Sequence, residues 1–177
     1  MFVRQLMTSD VKSCSPEDTL EAAARKLWDG DIGVLPVVSG ARVVGMITDR
    51  DLCMAAYTQR RPLHELVVSG AMSKELHTVP PEASIEQALQ LMTSAQVRRL
   101  AVVDDEGRPR GLLSMNDLAR EATRPRSKLT AAAVVQAVGG ISAPRAAAAP
   151  QAEEPRKVVA LAASGAPSGS PSSPSPR

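Results

Sequence analysis

The chain carries the same pattern twice, and that duplication restricts its possible folds more than any other feature. Gly45-Met46-Ile47-Thr48-Asp49-Arg50-Asp51 reads as the end of a buried strand, a hydroxyl, and a carboxylate three residues later that opens a helix. Gly111-Leu112-Leu113-Ser114-Met115-Asn116-Asp117 repeats the glycine, the two apolar residues, the hydroxyl and the Asp at the same spacing, and Leu52 and Leu118 continue the match. Upstream, a shift of 65 positions lays Met7 on Met72, Pro16 on Pro81, Glu17 on Glu82, Ala23 on Ala88 and Val37-Val38 on Val102-Val103. Beyond those positions the shift is 66, and the extra residue falls in Asp104-Asp105-Glu106-Gly107-Arg108, opposite the tighter Ser39-Gly40-Ala41-Arg42. Insertions accumulate in turns, so the slip supports the alignment. Two copies of one small unit, each too small to bury its own apolar face, are expected to share a core.

Within the first copy, Val11 to Cys14 is a strand candidate and Pro16-Glu17-Asp18 a turn into a helix that begins near Thr19. Leu20, Ala23, Ala24, Leu27 and Trp28 fall on one face of that helix. Val34 to Val38 and Val43 to Ile47 are short, apolar and rich in β-branched residues around a Ser-Gly turn, the pattern of a hairpin. A second helix runs from Asp49 to Tyr57 with Leu52, Ala55 and Ala56 inward. The second copy gives a strand at Leu76 to Val79 and a capping box at Ser84-Ile85-Glu86-Gln87, opening a helix with Ile85, Ala88, Leu89 and Met92 inward. A hairpin of Leu100 to Val103 with Pro109 to Leu113, then a helix from Met115 to Ala122, complete it. The expected class is α/β (α+β), two βαββα repeats, divided as 1–65 with a connecting segment and 66–124. The connecting segment has a short helix at Leu63 to Val68, and a further helix is expected within 125–141. The Pro/Ser/Ala-rich stretch 142–177 is expected to be disordered, since it offers little apolar surface to offset ordering entropy. Arg156 to Leu161 is an apolar island in it, readable as a docking motif or as unstructured chain.

A Ser/Thr beside free helix N-terminal N–H groups can hold a phosphate, and the nearby carboxylate can accept both hydroxyls of a ribose. The same residues can equally cap the helix, because a hydroxyl followed three residues on by an acid satisfies orphan N–H groups. The two uses are compatible.

A net charge of +2 with Lys and Arg spread along the chain, and only one Trp, one Tyr and one Phe, leaves no stacking platform for bases and excludes a nucleic-acid binder from the leading readings. The first twenty residues include Arg4, Asp10, Lys12 and Glu17 and no long apolar run, so neither a secretory signal nor a membrane span is expected, and the cytoplasm is the expected compartment. Cys14 and Cys53 form no Cys-x-x-Cys, and His64 and His77 stand alone, so no metal site is expected. Both cysteines are read as reduced, mostly buried thiols. No nucleophile with a neighbouring base and no P-loop is present, which argues against an enzyme.

The order strand, helix, strand, strand, helix, occurring twice, with Leu35-Pro36-Val37-Val38 before a turn and Gly45 to Leu52 after it, resembles the cystathionine-β-synthase (CBS) domain. Two in tandem make a Bateman module, and the stand-alone layout resembles the hypoxic response protein group. The resemblance covers about Phe2 to Ala122. It implies repeats packed about a pseudo-twofold axis, with clefts that receive adenosine-type ligands such as AMP, ATP or S-adenosylmethionine without acting on them. It maps the ribose-contacting acid onto Asp51 and Asp117 and the phosphate-side hydroxyl onto Thr48 and Ser114, with Arg50 as a possible cation. Adenine contacts map onto Ser13 and Thr78, and onto Gly33, Val34, Leu35 and Pro36 in one repeat and Val97, Arg98, Arg99 and Leu100 in the other. The second repeat departs from the first in having Ala101 for Pro36 and Met115-Asn116 for Asp49-Arg50. The expected function is a regulatory module that binds an adenine nucleotide, with no cofactor required, as a homodimer through its helices and with an unidentified effector protein as a possible target. The alternative is a structural homodimer with no physiological nucleotide.

Overall fold

The computed structural model describes residues 1–73, 75–144 and 157–161. Helix α1 (Leu20–Gly30) leads to the antiparallel hairpin β1 (Val34–Ser39) and β2 (Arg42–Thr48), followed by α2 (Asp49–Gln59). The second repeat has β3 (Glu75–Val79), α3 (Ile85–Ser94), the hairpin β4 (Arg99–Val103) and β5 (Pro109–Ser114), and α4 (Met115–Ala122). Helix α5 (Ala131–Ile141) and strand β6 (Lys157–Ala160) close the described chain. Every α-helix starts on a Ser or Thr whose side chain accepts from a backbone N–H in the first turn: Thr19, Thr48, Ser84, Thr130 and Ser114. The helix starts are thus legible residue by residue from the caps.

The duplication extends to irregularities. Both hairpins carry a register shift at the same place, between Val37 and Val38 and between Val102 and Val103. The repeats differ at their leading strand. Glu75–Val79 pairs in parallel with β4, whereas the expected strand Val11 to Cys14 is reduced to a single bridge from Cys14 to Val37. Trp28, expected inward, is 87% exposed, because Ala23 and Leu27 already fill the buried stripe of α1. Between the repeats, two short 3-10 turns, Leu63–Glu65 and Val68–Gly70, stand where one helix was expected.

The two cores do not follow the sequence boundary. Val3 is fully buried among α3, β4, β5, α4 and α5 residues of the second repeat, and its N–H donates to the Ala83 carbonyl. Leu66, Val68 and Met72, which lead the second repeat ahead of β3, are buried with Leu20, Leu35, Ile47 and Leu52 of the first. Each repeat therefore sends its leading segment into the other's core. The contact is close on both sides. A Cβ on Gly45 would lie 2.8 Å from Met72 Sδ, and one on Gly111 would lie 2.6 Å from the Thr8 carbonyl oxygen and 2.9 Å from Met7 Sδ. Val43, Leu76 and Ala101 form a smaller buried cluster where the two sheets meet.

Helix α5 packs its buried Val134, Ala137 and Ile141 on the second core, and Gln96 Nε2 donates to the Ala143 carbonyl at 2.8 Å. The apolar island of the tail is a strand rather than unstructured chain. It pairs in parallel with β3 from Glu75↔Lys157 to Thr78↔Ala160, so the sheet order is β5-β4-β3-β6. The unpaired edge of β3 attracts it: backbone N–H and C=O groups there lack a partner unless another strand arrives. The rest of 145–177 lies outside the described residues.

The two glycines provide a test of the exchange. Gly111→Ala forces backbone at Thr8 to move and is expected to cost about 1–3 kcal/mol, whereas Gly45→Ala meets only the flexible Met72 side chain and costs less. Urea denaturation of both variants checks the order.

Candidate nucleotide cleft

At the start of α2 the backbone N–H and the Oγ1 of Thr48 both donate to Asp51 Oδ2, at 2.8 and 2.7 Å, and the Asp51 N–H returns to Thr48 Oγ1 at 3.3 Å. This is the capping box foreseen from the spacing. It consumes one carboxylate oxygen and leaves Asp51 Oδ1 without a partner among the described residues. The second copy builds the same box, with Ser114 N–H and Oγ on Asp117 Oδ2 at 2.9 and 2.5 Å. There, however, Arg120 also bonds Asp117 Oδ1, and the Asp117 side chain is only 8% exposed.

Thr48 and Asp51 open onto a cleft of about 720 Å³ between the repeats. Val34, Arg50, Val97, Arg98 and Arg99 also line it, so seven of the expected residues converge there. The Arg99 guanidinium lies over Gly33, its Nη2 3.3 Å from where a Cβ would stand. A glycine at 33 therefore makes room for that cation as well as exposing backbone. Leu35, Pro36 and Leu100 do not reach the cleft: Leu35 and Leu100 are fully buried core residues, and the Pro36 carbonyl accepts from the Cys14 N–H. Ser13 is exposed, its carbonyl accepting from Lys26 Nζ. Thr78 is buried, and its carbonyl accepts from the Leu161 N–H at the end of β6. Ser114 and Asp117 stand apart from this cleft. Asp117 borders instead a cavity of about 130 Å³ with Gln5, Leu6 and Arg120.

Sequence reasoning passed over Met46, Asp49, Ser73, Glu75, His77 and Gln96, and over Ile141 and Ala143 at the end of α5, all of which line the larger cleft. Glu75 and His77 could have been found from strand alternation, since they occupy the face of β3 opposite Leu76 and Thr78. His77 Nε2 is 3.7 Å from Glu75 Oε2, and its buried Nδ1 has no hydrogen-bond partner among the described residues. The α5 residues carried no local signal.

A separate groove of about 620 Å³ lies between α1 and α2, lined by Leu27, Trp28, Leu52, Cys53 and Leu63 among others. Cys53 is exposed on it, contrary to the expectation of two buried thiols, because it follows Leu52 out of the narrow buried stripe of α2.

The CBS-domain family model matches residues 3–57 and 68–124. The chain belongs to the CBS-domain family. The CBS domain-containing protein YhcV of Bacillus subtilis is 38% identical over 117 residues, 66% of this chain and 82% of that one. Among solved CBS structures, Hypoxic Response Protein I with two coordinated zinc ions aligns with a TM-score of 0.63 at 29% identity, covering 71% of this chain and all of the other. CBSX2 in complex with AMP aligns with a TM-score of 0.60 at 26% identity, over 68% and 95% of the two chains. The CBS-pair fold accounts for the repeats and their shared cleft. Among the described residues of this CBS pair no group of three or more His, Cys, Asp or Glu side chains could hold a metal ion. No helix among them is long and apolar enough to cross a membrane.

The thiols should differ in reactivity. Burial pushes the Cys14 pKa up to about 11, so at pH 8 only about one molecule in a thousand carries its thiolate. Iodoacetamide at that pH is expected to leave Cys14 unmodified until the protein is denatured, as mass spectrometry of the two peptides would show.

Proposed function

We propose that this CBS pair is a cytoplasmic, non-catalytic regulatory module that binds an adenosine-type nucleotide in the Thr48/Asp51 cleft. The observation that carries the reading is Asp51: one oxygen completes the helix cap and the other has no partner among the described residues, in a cleft whose volume suits a small-molecule ligand. A free carboxylate oxygen can accept from a ribose hydroxyl, Thr48 can serve the phosphate side, and Arg50, Arg98 and Arg99 supply positive charge. The AMP complex of CBSX2 supports an adenine ligand as the first to try. Occupancy would act by biasing how the two repeats pack, because the cleft walls come from both.

The output then passes through another protein or another copy of this chain. Trp28, Met54 and Tyr57 are 87%, 48% and 77% exposed, and they stand on α1 and α2 beside the apolar groove. Monomers seldom leave such a patch uncovered, and a twofold dimer covers it with its own copy. The homodimer face thus lies on these two helices. Leu66 and Val68 of the connecting segment are spent inside the first core and contribute nothing to this face.

A ligand that binds only the native state raises its stability by about 2.7 kcal/mol at a hundred times its dissociation constant. AMP or ATP is therefore expected to shift the denaturation midpoint of the wild type and not of Asp51→Ala. An unchanged wild-type midpoint would leave the interaction module without a nucleotide. For assembly, sedimentation should show a dimer at micromolar protein that Trp28→Asp converts to monomer. Cys53 alkylation should slow as protein concentration rises through that association.

A further inference from the structure

The two copies of the motif differ in ways that bear on how many ligands one chain can hold. In the first, Asp51 keeps a free oxygen, and the cleft beyond it measures about 720 Å³. In the second, both Asp117 oxygens are engaged, by Ser114 on one side and Arg120 on the other, and the nearly buried carboxylate borders a small cavity with Gln5 and Leu6. The cavity it borders, about 130 Å³, falls below the roughly 300 Å³ at which small-molecule pockets begin. The exchanged N-terminal segment supplies one side of it. Thr8 bridges to Leu112, and the chain from Val3 to Leu6 packs onto the second core, so this side of the cavity is part of the fold.

Charge follows the same division. Arg50, Arg98 and Arg99 line the open cleft, and none makes an ion pair among the described residues, although Arg4, Arg61, Arg108, Arg120 and Arg124 all do. Three guanidiniums thus share one concave site with Asp49, Asp51 and Glu75, one of them seated over Gly33, and none is tied to those acids in an ion pair among the described residues. Asn116 replaces Arg50 in the second copy, and Gly33 and Val34 stand where the second repeat has Arg98 and Arg99. His77, whose buried Nδ1 has no hydrogen-bond partner among the described residues, also lines the open cleft. Multiple guanidiniums match multiple phosphate oxygens, since each can form charge-assisted bonds that a neutral ligand cannot use.

Resting on the nucleotide reading above, we infer that each chain binds one nucleotide rather than two, in the Asp51 cleft, and that the site selects a phosphate chain over a bare nucleoside. The second motif is a structural cap.

Isothermal titration of the full chain with ATP, AMP and adenosine tests this. The expected result is one site per chain, with affinity falling from ATP to AMP to adenosine. Arg99→Ala should weaken ATP by about tenfold and adenosine much less. Asp51→Asn should abolish binding, whereas Ser114→Ala, which keeps the carboxylate ion pair, should leave stoichiometry and affinity unchanged; circular dichroism establishes that each variant is folded. Two sites per chain, or equal affinity for adenosine and ATP, would overturn the inference while leaving the nucleotide reading intact. Failure of all three ligands to bind the wild type would remove both.

Discussion

The close approach of Met72 to Gly45 and of Met7 to Gly111 is the constraint on which the rest of the molecule depends. Each repeat lends its leading segment to the other, so neither core is complete alone. The first lacks Leu66, Val68 and Met72 without the leading segment of the second repeat, and the second lacks Val3 without the N-terminal segment of the first. Because cores are close-packed and tolerate little added volume, a glycine is required where sulfur and backbone press against the hairpin strand. This exchange holds the two hairpins at a fixed spacing. It therefore sets the width of the cleft between Thr48/Asp51 on one side and Val97 to Arg99 on the other.

The proposed ligand contacts come from what the caps leave over. A capping box needs one carboxylate oxygen and one hydroxyl, and both copies supply them with nearly the same geometry. What differs is the second oxygen. Asp51 presents it to a large, arginine-lined cleft, and Asp117 gives it to Arg120 at a small cavity bordered by the N-terminal segment. A duplicated sequence has thus become an asymmetric pair, and the asymmetry comes from residues outside the motif.

Helix α5 and strand β6 extend the second repeat in directions the duplication does not define. The end of α5 brings Ile141 and Ala143 to the rim of the cleft, and β6 lies along β3, whose Glu75 and His77 form part of its wall. The segments after the repeats are in this way connected mechanically to the site, and they set its outline on one side.

Much of this was legible in the sequence, because its signals are local. Helix starts follow from a hydroxyl and the backbone N–H two or three residues on. The hairpins follow from β-branched runs around short turns. The family follows from the spacing of Gly45 to Asp51 repeated at Gly111 to Asp117. Thr48 and Asp51 were found for the same reason, as members of a repeated pattern, whereas Arg98 and Arg99 came from the family resemblance. Only the tertiary structure decided which leading segment fills which core, that Trp28 and Cys53 face out, that Val11 to Cys14 forms a bridge and no strand, and that Lys157–Ala160 pairs with β3. It also decided that one motif faces a large cleft and the other a small cavity. Each of these depends on contacts between residues far apart in the chain. Their apolar or polar character is visible in sequence, but the partner that satisfies it is set by packing.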